Sequence, residues 1–441
     1  MFKIKEEFIM AMVVKNNMSA INTLNTLNKN TNALKKSLEK VSSGMKINSA
    51  ADDASGYAIS ERMRVQIRSL DQANQNAQNG SSMMKVAEGA VSSTVEILKT
   101  LKEKAVSAAN DTNTDVDRAT IQKELDQSID QINDNANVTF NGQYLVDGSH
   151  NREVKQTTTA MTNTSLDTKT VAASTMTSLK ARNGDTLNIQ NTDRVTVSYV
   201  KDGKTETSTV TVGKLKISEV LAKTVGSAVS VKQTGSYIGR DVSNNSVYTA
   251  DGKSAMTLVA QKSGVKEQIA GFTMYITGND GNVRKSANAA LDAFNESIRA
   301  ENTSKDNSIV LQIGTKAGQT IKAGLTDMKA TALGLQGFNG DTISVGNQEK
   351  ANAAINALDA AIQKALDQQT TIGAVESRLE YTQSNLTTAS ENVTSAESTI
   401  RDADMAKEMT NYTKNNVLMQ AAQSMLSQAN QSSSNVLSLL Q

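Results

Sequence analysis

Apolar residues recur at spacings of three and four near both ends of this 441-residue chain. In the C-terminal region they form two runs: Leu379, Thr382, Leu386, Ala389, Val393, Ala396 and Ile400, then Leu418, Ala422, Met425, Ala429, Ser432, Val436 and Leu439. The N-terminal run has the same alternation: Ala20, Leu24, Leu27, Thr31, Leu34, Leu38, Val41 and Met45. Because a helix with one apolar stripe needs another apolar surface beside it, the pattern predicts terminal helices that pack against partners.

The C-terminal helix is also poor in charge. Residues 405–441 contain only three charged side chains, Lys407, Glu408 and Lys414, and end in the uncharged run Val436-Leu437-Ser438-Leu439-Leu440. Ordering each residue costs roughly 1–2 kcal/mol in backbone entropy, which a single helix pair with modest apolar side chains hardly offsets. We infer that these ends become fully ordered only when many copies pack together.

The same spacing predicts three internal helices. The longest runs from Ile59 to Ala108 in strict four–three steps, and small residues in its middle favour a close neighbour. The next helix carries Ile121, Leu125, Ile129 and Ile132. The last begins with Ile355, Leu358, Ile362 and Leu366, and continues past Gly373 into the C-terminal heptads.

Short polar motifs mark the helix ends. Gly44 follows two serines, where a left-handed C-cap is expected for the first helix. Asp52 and Asp53 are predicted to lie in the first turn of the second helix, where acids interact favourably with the helix dipole. The alternative, a catalytic carboxylate pair, lacks a base, a metal ligand or a glycine-rich loop nearby.

A calcium-loop spacing after the second helix is a second candidate site. Asp111, Asn113 and Asp115 have this spacing, but Val116 and Gln122 stand where the loop needs Gly and Glu. We therefore interpret the segment as a turn between helices.

The middle of the chain, residues 151–304, is rich in Ser, Thr and Gly and shows strand-like alternation. β-forming residues flank Asp202-Gly203, which predicts a hairpin of residues 195–200 and 205–212. Other predicted elements are a helix over 217–225, strands around 256–260 and 272–276, and a helix over 287–299.

Composition narrows the chemistry. The chain has no cysteine, proline or tryptophan, and 3% of its residues are aromatic. Disulfides and thiolate sites are therefore excluded, and no proline interrupts the long helices. The net charge of +1 gives no reason to expect nucleic acid or an anionic membrane as a partner.

Motifs at the two ends point together to one family. The N-terminal motifs are Ala11-Met12-Val13-Val14, Asn17-Met18-Ser19-Ala20, the run from Ser42 to Gly56, and Thr139-Phe140-Asn141-Gly142 with Leu145. The C-terminal motifs are Ile400-Arg401-Asp402-Ala403-Asp404-Met405-Ala406, Gln428-Ala429-Asn430-Gln431 and Asn435-Val436-Leu437-Ser438-Leu439-Leu440. They resemble the terminal signatures of bacterial flagellin, and the resemblance covers about residues 10–150 and 305–441.

The resemblance implies a mainly α fold with a β-rich insertion, in which long helices from both termini pair in an antiparallel, coiled-coil-like way. Residues 1–48 and 402–441 would form a terminal inner-tube domain. Residues 49–150 and 303–401 would form a discontinuous helical core with a small β-region, and residues 151–302 a surface-exposed α+β variable domain.

The resemblance also implies a function. Flagellins polymerise into the filament used for swimming, after export by the flagellar type III apparatus. The implied partners are further copies of the chain, an export chaperone, and the filament cap and hook-junction proteins. A hook-filament junction protein, which shares the terminal design, is the alternative.

Two sets of candidate residues follow. The stripes and the family signature indicate a filament-assembly interface: Leu24, Leu27, Leu34, Leu38, Val41, Leu418, Ala422, Met425, Leu426, Val436, Leu437, Leu439 and Leu440. By the same resemblance, six residues align with the patch that the vertebrate flagellin receptor recognises, but they differ from it at several positions: Leu98, Thr100, Leu101, Lys102, Glu103 and Lys104. Receptor-activating flagellins have arginines at the positions of Thr100 and Lys102 and leucine at that of Lys104, so we expect weak or no activation.

Enzymatic and targeting functions find little support in the residues. Some flagellins carry a zinc peptidase, which needs two histidines on one helix, whereas His150 is the only histidine here. No cofactor motif is found. Residues 8–14 are apolar but too short for a membrane span and poorly placed for a signal peptide. Because residues 1–9 match nothing in the family, we expect them to be a start-site artefact or disordered.

Overall fold

The computed structural model describes residues 16–232 and 235–439, with side chains up to Ser434 except that of Ser433. The contacts between residues divide the chain into two compact units. One unit comprises residues up to 74, residues 314–317 and residues from 384 onwards. The other comprises residues 75–313 and 318–383.

The described residues form seven α-helices and thirteen strands. The helices are α1 Met18–Ser43, α2 Ala54–Ala108, α3 Asp115–Ala136, α4 Ile217–Thr224, α5 Lys285–Leu291, α6 Gln348–Arg401 and α7 Met405–Leu439. The strands are β1 Thr139–Phe140, β2 Gln143–Tyr144, β3 Ala160–Asn163, β4 Arg194–Lys201, β5 Lys204–Thr211, β6 Val229–Lys232, β7 Tyr237–Arg240, β8 Ser246–Tyr248, β9 Met256–Ala260, β10 Ile269–Thr277, β11 Phe294–Ile298, β12 Ile309–Gln312 and β13 Thr320–Ala323. The predicted fold class, mainly α with a β-rich insertion, is confirmed.

In the first unit, α1 and α7 pack side by side as an antiparallel pair. Asn17 caps the start of α1, its side chain accepting from the Ala20 amide at 2.9 Å. Gly44 ends the helix in the predicted left-handed conformation, with φ of 73°. Residues 18–43 and 405–439 are thus helical in a single chain, while the inference that other copies are needed to order the ends fully stays a prediction.

The turns that lead from α1 into α2 and from α6 into α7 lie against each other. Main-chain bonds join Lys46 to the Arg401 carbonyl at 2.7 Å and Ala403 to the Gly44 carbonyl at 2.9 Å. The buried Arg401 guanidinium donates to Glu61 at 2.6 Å and to Ser60 at 3.2 Å, and lies 5.3 Å from the Tyr57 ring centroid. The hydrogen bond from Arg401 lowers the pKa of Glu61. This network ties α2 to the end of α6.

Asp52 and Asp53 lie just before α2, so the prediction that they occupy its first turn is wrong by one to two residues. Asp53 instead caps the helix by accepting from the amides of Ser55 and Gly56, both at 3.0 Å. Asp52 accepts from the amides of Asn48 and Ser49, which lowers its pKa. Both carboxylates therefore stabilise the turn.

In the second unit, the apolar faces of α2, α3 and α6 form one buried cluster. It includes Leu98 from α2, Ile129 from α3 and Leu358 from α6. Two residues of the insertion, Val200 and Ala270, also belong to it. The predicted internal helices are confirmed, and the insertion contributes directly to their core.

Among the described residues the insertion contains three antiparallel sheets, ordered β10-β4-β5, β11-β3-β9-β6 and β7-β8. The predicted hairpin is formed by β4 and β5, and its two turn residues, Asp202 and Gly203, have φ of 48° and 72°. Such positive φ values are typical of the tight hairpin turn that Asp-Gly favours. The predicted helix over 217–225 and the predicted strands around 256–260 and 272–276 are confirmed as α4, β9 and β10.

The predicted helix over 287–299 is wrong in its second half. α5 ends at Leu291, where the Asn163 side chain donates to the Ala290 carbonyl at 2.7 Å. The chain then becomes β11, which pairs with β3, and the Phe294 ring packs edge-on against Phe272 at 5.0 Å. Pairing and aromatic packing from distant segments thus override the local helical pattern.

The Arg118 side chain packs into the loop that has the calcium-like spacing. Arg118 is 8% exposed and donates to the carbonyls of Ala108 at 2.9 Å and Asn110 at 3.1 Å. Its guanidinium also lies 3.4 Å from the Asp115 carboxylate. The interpretation as a turn agrees with these contacts, and no group of three metal-ligating side chains is found among the described residues.

Candidate assembly interface

The seam between α1 and α7 follows one heptad stripe on each helix. The partly or fully buried positions along these stripes are Ala20, Thr23, Leu27, Asn30, Leu34, Ser37 and Val41 on α1, and Glu408, Tyr412, Asn415, Met419, Ala422, Leu426 and Ala429 on α7. Of the predicted interface residues, the structure therefore brings Leu27, Leu34 and Val41 together with Ala422 and Leu426. These five residues pair the two ends of the same chain.

Asparagines fix the register of this seam. Asn17 donates to the Ala429 carbonyl at 3.0 Å, Asn30 to the Leu418 carbonyl at 3.2 Å, and Asn415 to the Ser37 hydroxyl at 3.0 Å. A polar group inside a helix seam specifies alignment at some cost in stability. The apolar stripe predicted for α1 runs through Leu24, Thr31 and Leu38 and therefore does not include their polar neighbours Thr23, Asn30 and Ser37.

The other four predicted interface residues whose side chains are described lie outside the seam. Leu24 is 45% exposed, Leu38 51%, Leu418 42% and Met425 62%. Single exposed apolar side chains are common on protein surfaces. These four are notable for their spacing: Leu24 and Leu38 are two heptads apart on α1, and Leu418 and Met425 are one heptad apart on α7.

The two exposed sets lie on opposite sides of the helix pair. Leu24 and Leu38 each follow a seam residue of α1 by one position, whereas Leu418 and Met425 each precede a seam residue of α7 by one position. Each residue turns a helix by about 100°. Because the helices are antiparallel, both offsets rotate in the same sense, which places one set on each side of the pair.

The other four predicted interface residues have side chains that the structure does not describe. The side chains of Val436, Leu437 and Leu439, and all of Leu440, lie outside the described residues.

The predicted receptor patch lies near the C-terminal end of α2. Leu98 and Leu101 are fully buried in the helical core, whereas Thr100 and Glu103 are exposed. Both lysines of the patch are engaged: Lys102 lies 2.6 Å from Asp359 of α6, and Lys104 lies 2.9 Å from Glu124 of α3.

Two family models match the chain: the bacterial flagellin N-terminal helical region over residues 14–151, and the bacterial flagellin C-terminal helical region over residues 355–440. A flagellin of Clostridium tyrobutyricum is 36% identical over 421 residues, covering 95% of this chain and 99% of that protein. This chain belongs to the flagellin family. A flagellin of Bacillus subtilis strain 168 is 31% identical over 433 residues, covering 97% of this chain and all of that protein.

Flagellins are a structural protein family, and other full-length relatives of this flagellin-family chain are named flagellar filament core proteins. A solved structure of hook-associated protein-3 from Legionella pneumophila covers 76% of this chain and 97% of its own, at 15% identity and a TM-score of 0.33. No helix among the described residues is long and apolar enough to cross a membrane.

Proposed function

We propose that this protein is the subunit that polymerises into a bacterial flagellar filament outside the cell, in a structural and not a catalytic role. The observation that carries the proposal is the α1–α7 pair of a flagellin-family chain. Its seam is closed within one chain, yet apolar side chains remain exposed on both sides of the pair.

Two different exposed surfaces on opposite sides suit open-ended assembly. A contact between unlike surfaces generates a ring or a helical polymer, whereas a two-fold contact of one surface with itself stops at a dimer. In the proposed filament, the side with Leu24 and Leu38 of one subunit meets the side with Leu418 and Met425 of a neighbour.

We further propose the domain roles implied by the family. Residues 1–48 and 402–441 would line the inner tube, residues 49–150 and 303–401 the outer helical layer, and residues 151–302 the filament surface. Export would proceed through the flagellar type III apparatus. A chaperone would hold the C-terminal helix until then, because its exposed Met and Leu side chains favour premature association. Assembly would occur beneath the cap, above the hook-junction proteins.

Negative-stain imaging of purified protein tests the proposal. Full-length chain seeded with filament fragments should grow into long filaments of uniform diameter. A hook-junction protein would not form a long filament alone, so purified chain that stays monomeric under all seeding conditions, in the presence of competent seeds, would contradict the proposed role.

A further inference from the structure

The methionines of this chain differ in exposure between its two units. The chain has 17 methionines and no cysteine, so thioether groups hold all of its sulfur. Within the described residues, the exposed methionines are 43% to 62% accessible, and all lie on the terminal helices of the first unit: Met18, Met405, Met409 and Met425. The buried methionines are at most 7% exposed, and all belong to the second unit: Met83, Met84, Met161, Met176, Met256, Met274 and Met328. A reagent that must touch sulfur therefore meets the terminal helices first.

Two methionines of α7 show that the face of the helix also decides access to sulfur. Met419 and Met425 lie less than two turns apart on this helix. Met419 is partly buried in the seam with α1, whereas Met425 is 62% exposed on a side that does not face α1. The two residues therefore allow a comparison within one helix, in which exposure is the main difference.

A peroxide oxidises a thioether by direct contact with the sulfur. A sulfur lone pair attacks one oxygen of hydrogen peroxide, and an S–O bond forms as the O–O bond breaks. The sulfur loses two electrons, and the departing hydroxide takes the proton of the transferred oxygen and leaves as water. The product, methionine sulfoxide, has a polar side chain in place of an apolar one. Exposed thioethers should therefore react before buried ones.

The effect of a sulfoxide at Met425 depends on what surrounds it. In a single chain its oxygen stays in water, outside the seam that pairs α7 with α1, so the fold of the monomer should not change. In the proposed filament the same oxygen would be covered by a neighbouring subunit. Burying a polar group without a hydrogen-bond partner is unfavourable, so oxidation should weaken assembly and leave folding intact.

We propose that the exposed methionines of α1 and α7 are an oxidation site for peroxides in the unassembled chain. Their conversion to sulfoxides stops assembly, while the second unit stays folded and keeps its methionines unmodified. The block is reversible, because sulfoxide reductases return the sulfoxide to the thioether. The effect on assembly rests on the proposed role in the filament, whereas the order of oxidation depends on the single chain alone.

Peptide mapping by mass spectrometry of full-length monomer, treated with increasing hydrogen peroxide, measures the order of oxidation. Met425 should become sulfoxide at least about tenfold faster than Met84 or Met274, because both are buried in the second unit. Met425 should also react faster than Met419. Circular dichroism at the same peroxide concentration should show unchanged helical content.

Seeded polymerisation of the treated monomer, followed by light scattering, measures the consequence. The critical concentration of oxidised chain should be at least about tenfold above that of untreated chain, and reductases for both sulfoxide epimers should restore it. Leucine has a volume close to that of methionine and no sulfur. A variant that carries leucine at all four exposed positions should therefore assemble equally well before and after treatment: Met18→Leu, Met405→Leu, Met409→Leu and Met425→Leu.

Met419→Leu is the matched control, because it removes a partly buried thioether from the same helix and should stay as sensitive to peroxide as wild type. Equal oxidation rates at Met425 and Met274 in folded monomer would overturn the assignment of the site. Treated wild type that assembles at the untreated critical concentration, or a four-leucine variant that stays sensitive, would overturn the effect on assembly. Untreated chain that does not polymerise onto competent seeds would instead contradict the proposed function, and the oxidation rates would still decide which methionines form the site.

Discussion

Met425→Asp separates the folding of a single chain from its assembly. Met425 is 62% exposed in the single chain, on the side of α7 that does not face α1. An aspartate there would be solvated in the monomer, so its thermal unfolding should change by no more than about one or two degrees, as is usual for surface substitutions. In the proposed filament the same position is covered by a neighbouring subunit.

The expected penalty follows from that change in environment. Burying a methionine side chain contributes about 1.5–3 kcal/mol, of which the exposed part, roughly 1–2 kcal/mol, remains to be gained on assembly. An unpaired carboxylate adds a desolvation cost of a few kcal/mol. A total of about 3 kcal/mol per contact would raise the critical concentration roughly a hundredfold.

Polymerisation from purified monomers, followed by light scattering at several protein concentrations, measures this change. Ala422→Asp provides the contrast, because Ala422 is 7% exposed in the α1–α7 seam and its replacement should destabilise the monomer itself. Ser424→Asp, at an exposed polar position, is the charge-matched control and should assemble more readily than Met425→Asp. Met425→Asp filaments at the wild-type critical concentration would refute the reasoning, as would a large loss of stability in the Met425→Asp monomer.

Three further outcomes concern other parts of the chain. The vertebrate flagellin receptor should respond weakly or not at all, because Thr100 lacks a guanidinium and Lys104 carries a charge where activating flagellins have leucine. Activation in a reporter-cell assay at the potency of a recognised flagellin would contradict this prediction. A chain in which residue 150 is joined to residue 304 should still form filaments. Its Tm by calorimetry should be lower than that of wild type, because the insertion contributes two buried apolar side chains to the helical core. Exported protein that cannot polymerise would count against this prediction. Glu61→Gln should lower the Tm near neutral pH and leave it unchanged in acid. The Arg401 hydrogen bond lowers the Glu61 pKa, so its stabilisation is present above the ordinary glutamate pKa of about 4.3 and is lost as pH falls through the lower folded-state value. An equal Tm difference at pH 3 and pH 7 in thermal melts would exclude this explanation.

Helix periodicity and turn chemistry could be read from the sequence because both are local. Apolar spacing predicted the long helices, Gly44 predicted the left-handed cap, and Asp202-Gly203 predicted the hairpin turn. In each case the side chains that decide the structure lie within a few residues of each other, and the missing proline leaves long helices uninterrupted.

Tertiary structure alone decided which stripe faces which partner. Leu24 and Thr23 differ by one position, and hydrophobicity favours Leu24, yet the antiparallel seam uses Thr23 and leaves Leu24 exposed. The asparagine contacts across the seam join residues about four hundred positions apart, and no local pattern predicts them. The same holds for β11, whose local sequence favours a helix, because its pairing with β3 depends on a segment more than 130 positions away. Spacing along a chain defines the faces of each helix, whereas the choice among those faces depends on contacts made only when distant segments pack.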